Sequence, residues 1–287
     1  MRLLNKNLFV IAAFSLMLAC NSEKNKLNTD GIVETGSADN SDATDSSSKT
    51  LKVYTLPAPL QIATAVKTFD LNYSDKLLVP NNKSTVNYPT NYLKALNLGV
   101  FGIDMGYTTV YEQKQSAIYY LSKVQKLTEE LGITDNFNLA TVKRFKDNIS
   151  NQDSLYYIIL QSFNGVHKYL HENDRAGTGL LILTGSFVEG LYLTTQFAQS
   201  KKDNRLYNLI SQQQVFLDNL IELLRDLKEA ADLCTQLKDL KISFQGITIS
   251  NANSNFNKKS ADTISISNEQ LDKITNKVAA IRNKITA

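Results

Sequence analysis

All four prolines of this 287-residue chain fall between Pro57 and Pro89, so the sequence from residue 90 to its end contains none. Proline removes a backbone donor and clashes with the preceding helical turn, so a proline-free stretch of that length permits long, uninterrupted helices. Apolar residues recur through it at three- and four-residue steps. That period belongs to helices with a buried face and predicts an all-α fold. The expected architecture is a helical bundle of about seven to nine helices forming a single domain over residues 51–287.

Two of the expected helices are apolar almost all round and belong in the middle. One runs from Pro89 or Thr90 to about Tyr111, with Gly99, Gly102 and Gly106 near one face where a neighbour can approach closely. The other runs from Thr178 to Gln199. A membrane span is the rival reading of the second, but its clean apolar stretch is short and rich in Gly and Thr, which favours a core helix. Further helices are expected at Pro57–Phe69, Gln113–Leu131 (stopped by Gly132), Phe137–Ile149, Asp153–His171 and Asn204–Phe244. The last is read as one helix or as two joined near Glu229-Ala230. The C-terminal helix is the clearest: Ser267 and Gln270 suit a capping box, and Leu271, Ile274, Val278, Ile281 and Ile285 form a heptad-like stripe. Lys277, Arg282 and Lys284 lie toward its negative end. Before it, residues 245–265 are rich in Asn and Ser, with alternating Ile247, Ile249, Ile264 and Ile266. A mobile excursion is expected there, with a small hairpin as the other reading.

Gly102–Thr109 and Phe187–Thr194 resemble one another, each placing an acid three residues before a tyrosine in an apolar, glycine-bearing helix. Two pseudo-repeated halves and a chance likeness between two buried helices both account for this. On a helix the acid and the tyrosine share a face, so Asp104 can bond Tyr107, and Glu189 can bond Tyr192. A carboxyl group on an apolar helix must be paired, hydrogen-bonded, protonated or open to a cavity. Should the two helices pack together, both acids would line one pocket with Tyr107, Tyr111 and Tyr192, suited to a metal ion, a cationic ligand or acid/base chemistry. The plainer reading is that tyrosine or lysine satisfies each acid, which then only fixes helix register.

Other chemistry is sparse. His167 and His171 share a helix face, but the His-Glu-x-x-His order of a catalytic zinc helix is absent and no metal site is assigned. Cys234 is read as a buried, inert thiol. No phosphate-cradling glycine loop, nucleophile elbow, cysteine cluster or dinucleotide fingerprint occurs, so no cofactor is implied and catalysis is unsupported, without being excluded. A formal net charge of +3 with no basic stripe argues against nucleic acid as a partner.

At the other end, Arg2 and Lys6 precede an apolar run from Leu8 to Ala19, the layout of an export signal occupying residues 1–19. Met17-Leu18-Ala19-Cys20 resembles a bacterial lipobox. The resemblance implies cleavage before Cys20 and acylation of that cysteine, hence a membrane anchor. Asn21, where aspartate would retain such a protein at an inner membrane, implies an outer-membrane address with the leaflet open. Residues 20–50, rich in Ser, Asp, Asn and Thr, read as the lipidated cysteine and a flexible tether. Asp153-Ser154-Leu155 and Asp262-Thr263-Ile264 look like short O-glycosylation motifs of Bacteroidetes secreted proteins.

The lipobox, the composition rich in Asn, Lys and Tyr but without tryptophan, and the run Leu96-Asn97-Leu98-Gly99-Val100-Phe101-Gly102-Ile103-Asp104 together resemble a group of uncharacterised helical lipoproteins of Bacteroidetes. That resemblance implies a location and a fold, and no chemistry. The expected function is a non-catalytic envelope lipoprotein, membrane-anchored through Cys20, whose helical domain binds a protein partner or supports envelope organisation. The alternative is a small-ligand or metal-binding lipoprotein with a pocket around Asp104 and Glu189. An envelope hydrolase is the third class, and it lacks an identifiable nucleophile.

Overall fold

The computed structural model describes Phe69 and residues 71–80, 88–134, 138–250 and 263–287. The expected signal peptide, the tether, all but the last residue of the Pro57–Phe69 helix, and residues 251–262 of the expected excursion lie outside them.

Among the described residues the chain forms eight α-helices: α1 (Asn91–Val110), α2 (Lys114–Glu130), α3 (Leu139–Asp147), α4 (Gln152–Glu172), α5 (Ala176–Ser200), α6 (Asn204–Leu224), α7 (Ala231–Ile242) and α8 (Asn268–Thr286). The fold is the all-α bundle that the proline-free, helically periodic sequence predicts. Short side chains that cannot continue the helical pattern themselves start five of them. Thr90, Asn138, Asn151, Asp203 and Ser267 each accept a hydrogen bond from a first-turn backbone N–H. At the end of α2, Gly132 turns into the left-handed region at φ 66°, and the Arg175 guanidinium donates to the Leu131 carbonyl at 2.8 Å.

Helices α1 and α5 form the centre. Nearly every side chain of α1 from Ala95 to Thr109 is buried, as is most of α5 from Leu181 to Ala198. Helix α5 is long and apolar enough to cross a membrane, yet 67% of its most apolar window is buried inside the bundle, where the other helices supply the apolar surroundings. The two helices run in the same sense, since Leu96 meets Gly185, Asp104 interacts with Glu189 and Tyr107 lies near Phe197.

Their crossing is unusually close and reciprocal. A Cβ on Gly99 would lie 2.0 Å from the Ile182 carbonyl oxygen, and a Cβ on Gly185 would lie 1.9 Å from the Leu96 carbonyl oxygen. Each glycine therefore rests on the carbonyl three residues before the other, a geometry that brings Cα–H groups against backbone oxygens. Gly102 does not share this face as expected. Its missing Cβ accommodates the Phe163 ring of α4, at 2.2 Å from where that atom would be. Three residues advance a helix by about 300°, which leaves Gly102 turned by about a sixth of a circle from Gly99, far enough to meet a different neighbour.

Helix α8 packs against this pair in the opposite sense: Gln199 bonds Asp272 near one end, and buried Asn97 donates to the Ile285 carbonyl near the other, at 2.7 Å. Asn97 thus satisfies one of the carbonyls that a helix C-terminus leaves without a partner. Residues 204–244 form two helices. Leu217, Leu220 and Leu224 bury one stripe of α6, a 3-10 turn at Lys228–Ala230 resets the phase, and Leu233, Leu237 and Leu240 bury the next in α7. The flanks of the expected excursion pair as the hairpin reading has it, β1 (Thr248–Ser250) antiparallel to β2 (Thr263–Ser265). The capping box at α8 is only half formed. Ser267 accepts from the Gln270 N–H, but the Gln270 side chain reaches the Gln245 carbonyl at 2.7 Å and so ties α8 to the chain leaving α7. Ser267→Ala is expected to cost about 1 kcal/mol, read as a shift in the urea midpoint with an unchanged slope.

Candidate functional site

The two acids singled out by sequence meet in the interior. Asp104 and Glu189 are both fully buried, one turn or so beyond the glycine crossing that draws their helices together. Arg282 of α8 joins them. Its Nε donates to Glu189 Oε2 at 2.5 Å and its Nη2 to Glu189 Oε1 at 2.8 Å, a two-pronged charge-assisted pair. The guanidinium also lies over the Tyr192 ring, 4.3 Å from its centre.

Asp104 has a different set of partners. Its Oδ2 accepts from the Val79 N–H at 3.1 Å, whereas Oδ1 is buried with no hydrogen-bond partner, and the Glu189 carboxylate acts on the Asp104 side chain from α5. Two ionised carboxylates repel one another strongly in the interior, which favours the neutral form of Asp104. Burial, then the Glu189 charge, hold Asp104 well above the usual carboxylate range, against the opposing pull of Arg282 and the Val79 N–H. For Arg282, burial works against the cation, and Glu189 beside it more than compensates, so the guanidinium is held charged more firmly than in water.

The tyrosines do not bond the acids as expected. Tyr107 Oη accepts from the Ser74 N–H at 2.9 Å, Tyr111 Oη donates to the Leu71 carbonyl at 2.6 Å, and Tyr192 offers its ring face to Arg282. Tyr107 is pushed up to about 12, first by burial, so its hydroxyl stays neutral. All five expected site residues therefore belong to one region, but Tyr107 and Tyr111 are turned to the segment 71–79 and away from the carboxylates.

Asp104→Asn tests the proton directly. An asparagine can still accept from Val79 and can donate to Glu189 through its amide. A native group that keeps its proton above the unfolded value, about 3.9 for aspartate, adds stability that is complete in acid and declines as the pH rises toward its folded value. The variant is expected to stay within about 1 kcal/mol of the parent at neutral pH and to lose less stability on going from about pH 4 to neutrality. Urea unfolding across that range reads both; a loss of several kcal/mol at neutral pH would mean that Asp104 acts as an anion.

Two parts of the site escaped the sequence reading. Arg282 looked like a C-terminal dipole partner, but it lies four residues after Val278 on the inner side of α8, and a cation on that apolar face was the available signal. The segment 71–79 had no periodicity that could announce it. Elsewhere, His167 lines a small apolar cavity of about 30 Å³ with Phe163, Val166 and Leu183, and is held below its ordinary value by burial and then by His171. Cys234 is buried, with Sγ against the Ile221 carbonyl at 3.7 Å. Among the described residues no three His, Cys, Asp or Glu side chains are grouped so as to hold a metal ion. Ser154 stands in the first turn of α4, where its N–H is capped by Asn151, and Asp262 of the second short motif lies outside the described residues.

Compared with known protein families, curated proteins and solved structures, the chain matches none.

Proposed function

We propose that the chain is a membrane-anchored bacterial envelope lipoprotein, non-catalytic, whose helical domain binds a protein partner or supports envelope organisation. The observation that carries this reading is how the buried charge is disposed. The residues best suited to chemistry, Asp104 and Glu189, have their cation supplied from within by Arg282 and a further bond made to backbone at Val79. A buried, internally paired cluster offers no open coordination position to a substrate. The address comes from the resemblance of Met17-Leu18-Ala19-Cys20 to a lipobox and from the polar, low-apolar composition of residues 20–50. Several acyl chains on Cys20 would hold the protein at an outer-membrane surface.

A pull-down from detergent-solubilised envelopes tests the partner. Recovery of a stoichiometric protein that depends on the helical domain is expected. Recovery of the lipoprotein alone from every detergent would count against the reading. The pocket alternative requires the two acids to be near one another, which they are, but the cationic position beside them is already taken by Arg282. A ligand there would have to displace a bidentate pair.

A further inference from the structure

Phe69 and residues 71–79 form a strap laid over the bundle, with one 3-10 turn at Asp75–Leu77. The manner of its attachment is unusual. Helices hold it through its main chain. Tyr107 Oη accepts from Ser74 N–H (2.9 Å) and Asp104 Oδ2 from Val79 N–H (3.1 Å), while Tyr111 Oη donates to Leu71 O (2.6 Å) and Tyr120 Oη to Val79 O (2.7 Å). Lys201 Nζ donates to Phe69 O at 2.7 Å, and Arg282 Nη2 to Leu77 O at 3.0 Å. Six side chains, from α1, α2, α8 and the C-cap residues of α1 and α5, thus read backbone N–H and C=O groups. Phe69, Leu71, Leu78 and Val79 supply the buried apolar contacts.

The groove needs an occupant, because Asp104, Tyr120 and Arg282 are buried and would lose backbone partners if the strap left. The occupant need not come from the same chain. The strap lies at the N-terminal edge of the described fold and joins α1 through residues 80–90, which carry Pro80 and Pro89. We propose that this groove is a binding site for a polypeptide segment recognised by its main chain, filled here by the chain's own strap and open to the same segment from a second copy. The second copy is the occupant of choice because its strap presents the same amides, carbonyls and apolar side chains, so exchange adds no new contact and closes as a reciprocal pair. This rests on the reading of the domain as a protein-binding one and names its site and partner.

The test uses the full mature chain and a fluorescent synthetic peptide of residues 69–80. Binding in trans is expected to be saturable, and about tenfold or more tighter to Leu71→Ser, which loosens the resident strap while keeping every groove side chain, because the competent fraction rises. A peptide N-methylated at the Ser74 and Val79 amides is expected not to bind. Light scattering of the unlabelled chain at high concentration is expected to show a dimer that excess peptide dissociates. No binding to either chain, or equal binding of the N-methylated peptide, overturns the proposal. If Leu71→Ser does not fold, amide exchange in the parent decides: Ser74 and Val79 must exchange far faster than Val100–Ile103, and exchange only at the rate of global unfolding means that the strap cannot leave. A stoichiometric envelope partner found alongside a silent peptide would remove the groove and keep the partner-binding reading.

Discussion

Alanine in place of Gly185 is expected to destabilise the bundle by about 3 kcal/mol or more, despite alanine's better helix propensity of about 1 kcal/mol. The added Cβ would sit 1.9 Å from the Leu96 carbonyl oxygen and 2.7 Å from its carbon. Those are backbone atoms of a buried helix, so no side chain can rotate away. Helices α1 and α5 must separate, and every contact around the crossing loosens with them. Gly99→Ala should cost a similar amount, because its Cβ meets the Ile182 oxygen at 2.0 Å and the Ser186 nitrogen at 2.6 Å. The pair of changes should cost clearly less than the two summed, since one separation relieves both clashes. Denaturant unfolding of the three variants gives the answer. Parent-like stability of Gly185→Ala would show that the helices do not cross at this distance.

Removing the arginine should be as damaging. Arg282→Met leaves the Glu189 carboxylate in the interior without its cation and the Leu77 carbonyl without its donor, and a loss of about 3–5 kcal/mol is expected at neutral pH. The loss should shrink in acid, because an unpaired buried carboxyl takes up a proton that its unfolded counterpart holds only below about 4.3. Adding Glu189→Leu to Arg282→Met should return most of the stability, since an apolar pair of similar volume carries no desolvation cost. A double variant no better than the single would mean that the cluster's value lies in the strap's backbone bonds and not in the charge pair.

Helix class and most helix positions were legible because their causes are local. The proline-free stretch, the stripe Leu271-Ile274-Val278-Ile281-Ile285 and the near-continuous apolar run Leu96–Met105 each act within a few turns of chain. The burial of Asp104 and Glu189 was suggested by their apolar neighbours in sequence, but whether the two acids meet stayed conditional on the packing of α1 against α5, which the linear pattern does not decide. Long-range partners were not legible. Gly99 and Gly102 look alike along the chain, but one faces α5 and the other faces Phe163, and only the packing of α4 decides between them. Arg282 reaches Glu189 from a helix distant in sequence, and the strap owes its path to side chains on helices that all follow it. Polar groups buried by tertiary contact obey hydrogen-bond completeness, which a linear pattern does not encode.

The protonation of Asp104 tests most directly whether the interior charge is closed upon itself. Carboxyl NMR of the intact chain, isotope-labelled at aspartate and assigned with Asp104→Asn, should show a protonated group at neutral pH whose signal is unmoved by divalent cations or small organic amines. An ionised Asp104, or one whose signal shifts on adding either probe, would contradict a self-neutralised cluster and return the two acids to the role of a ligand site.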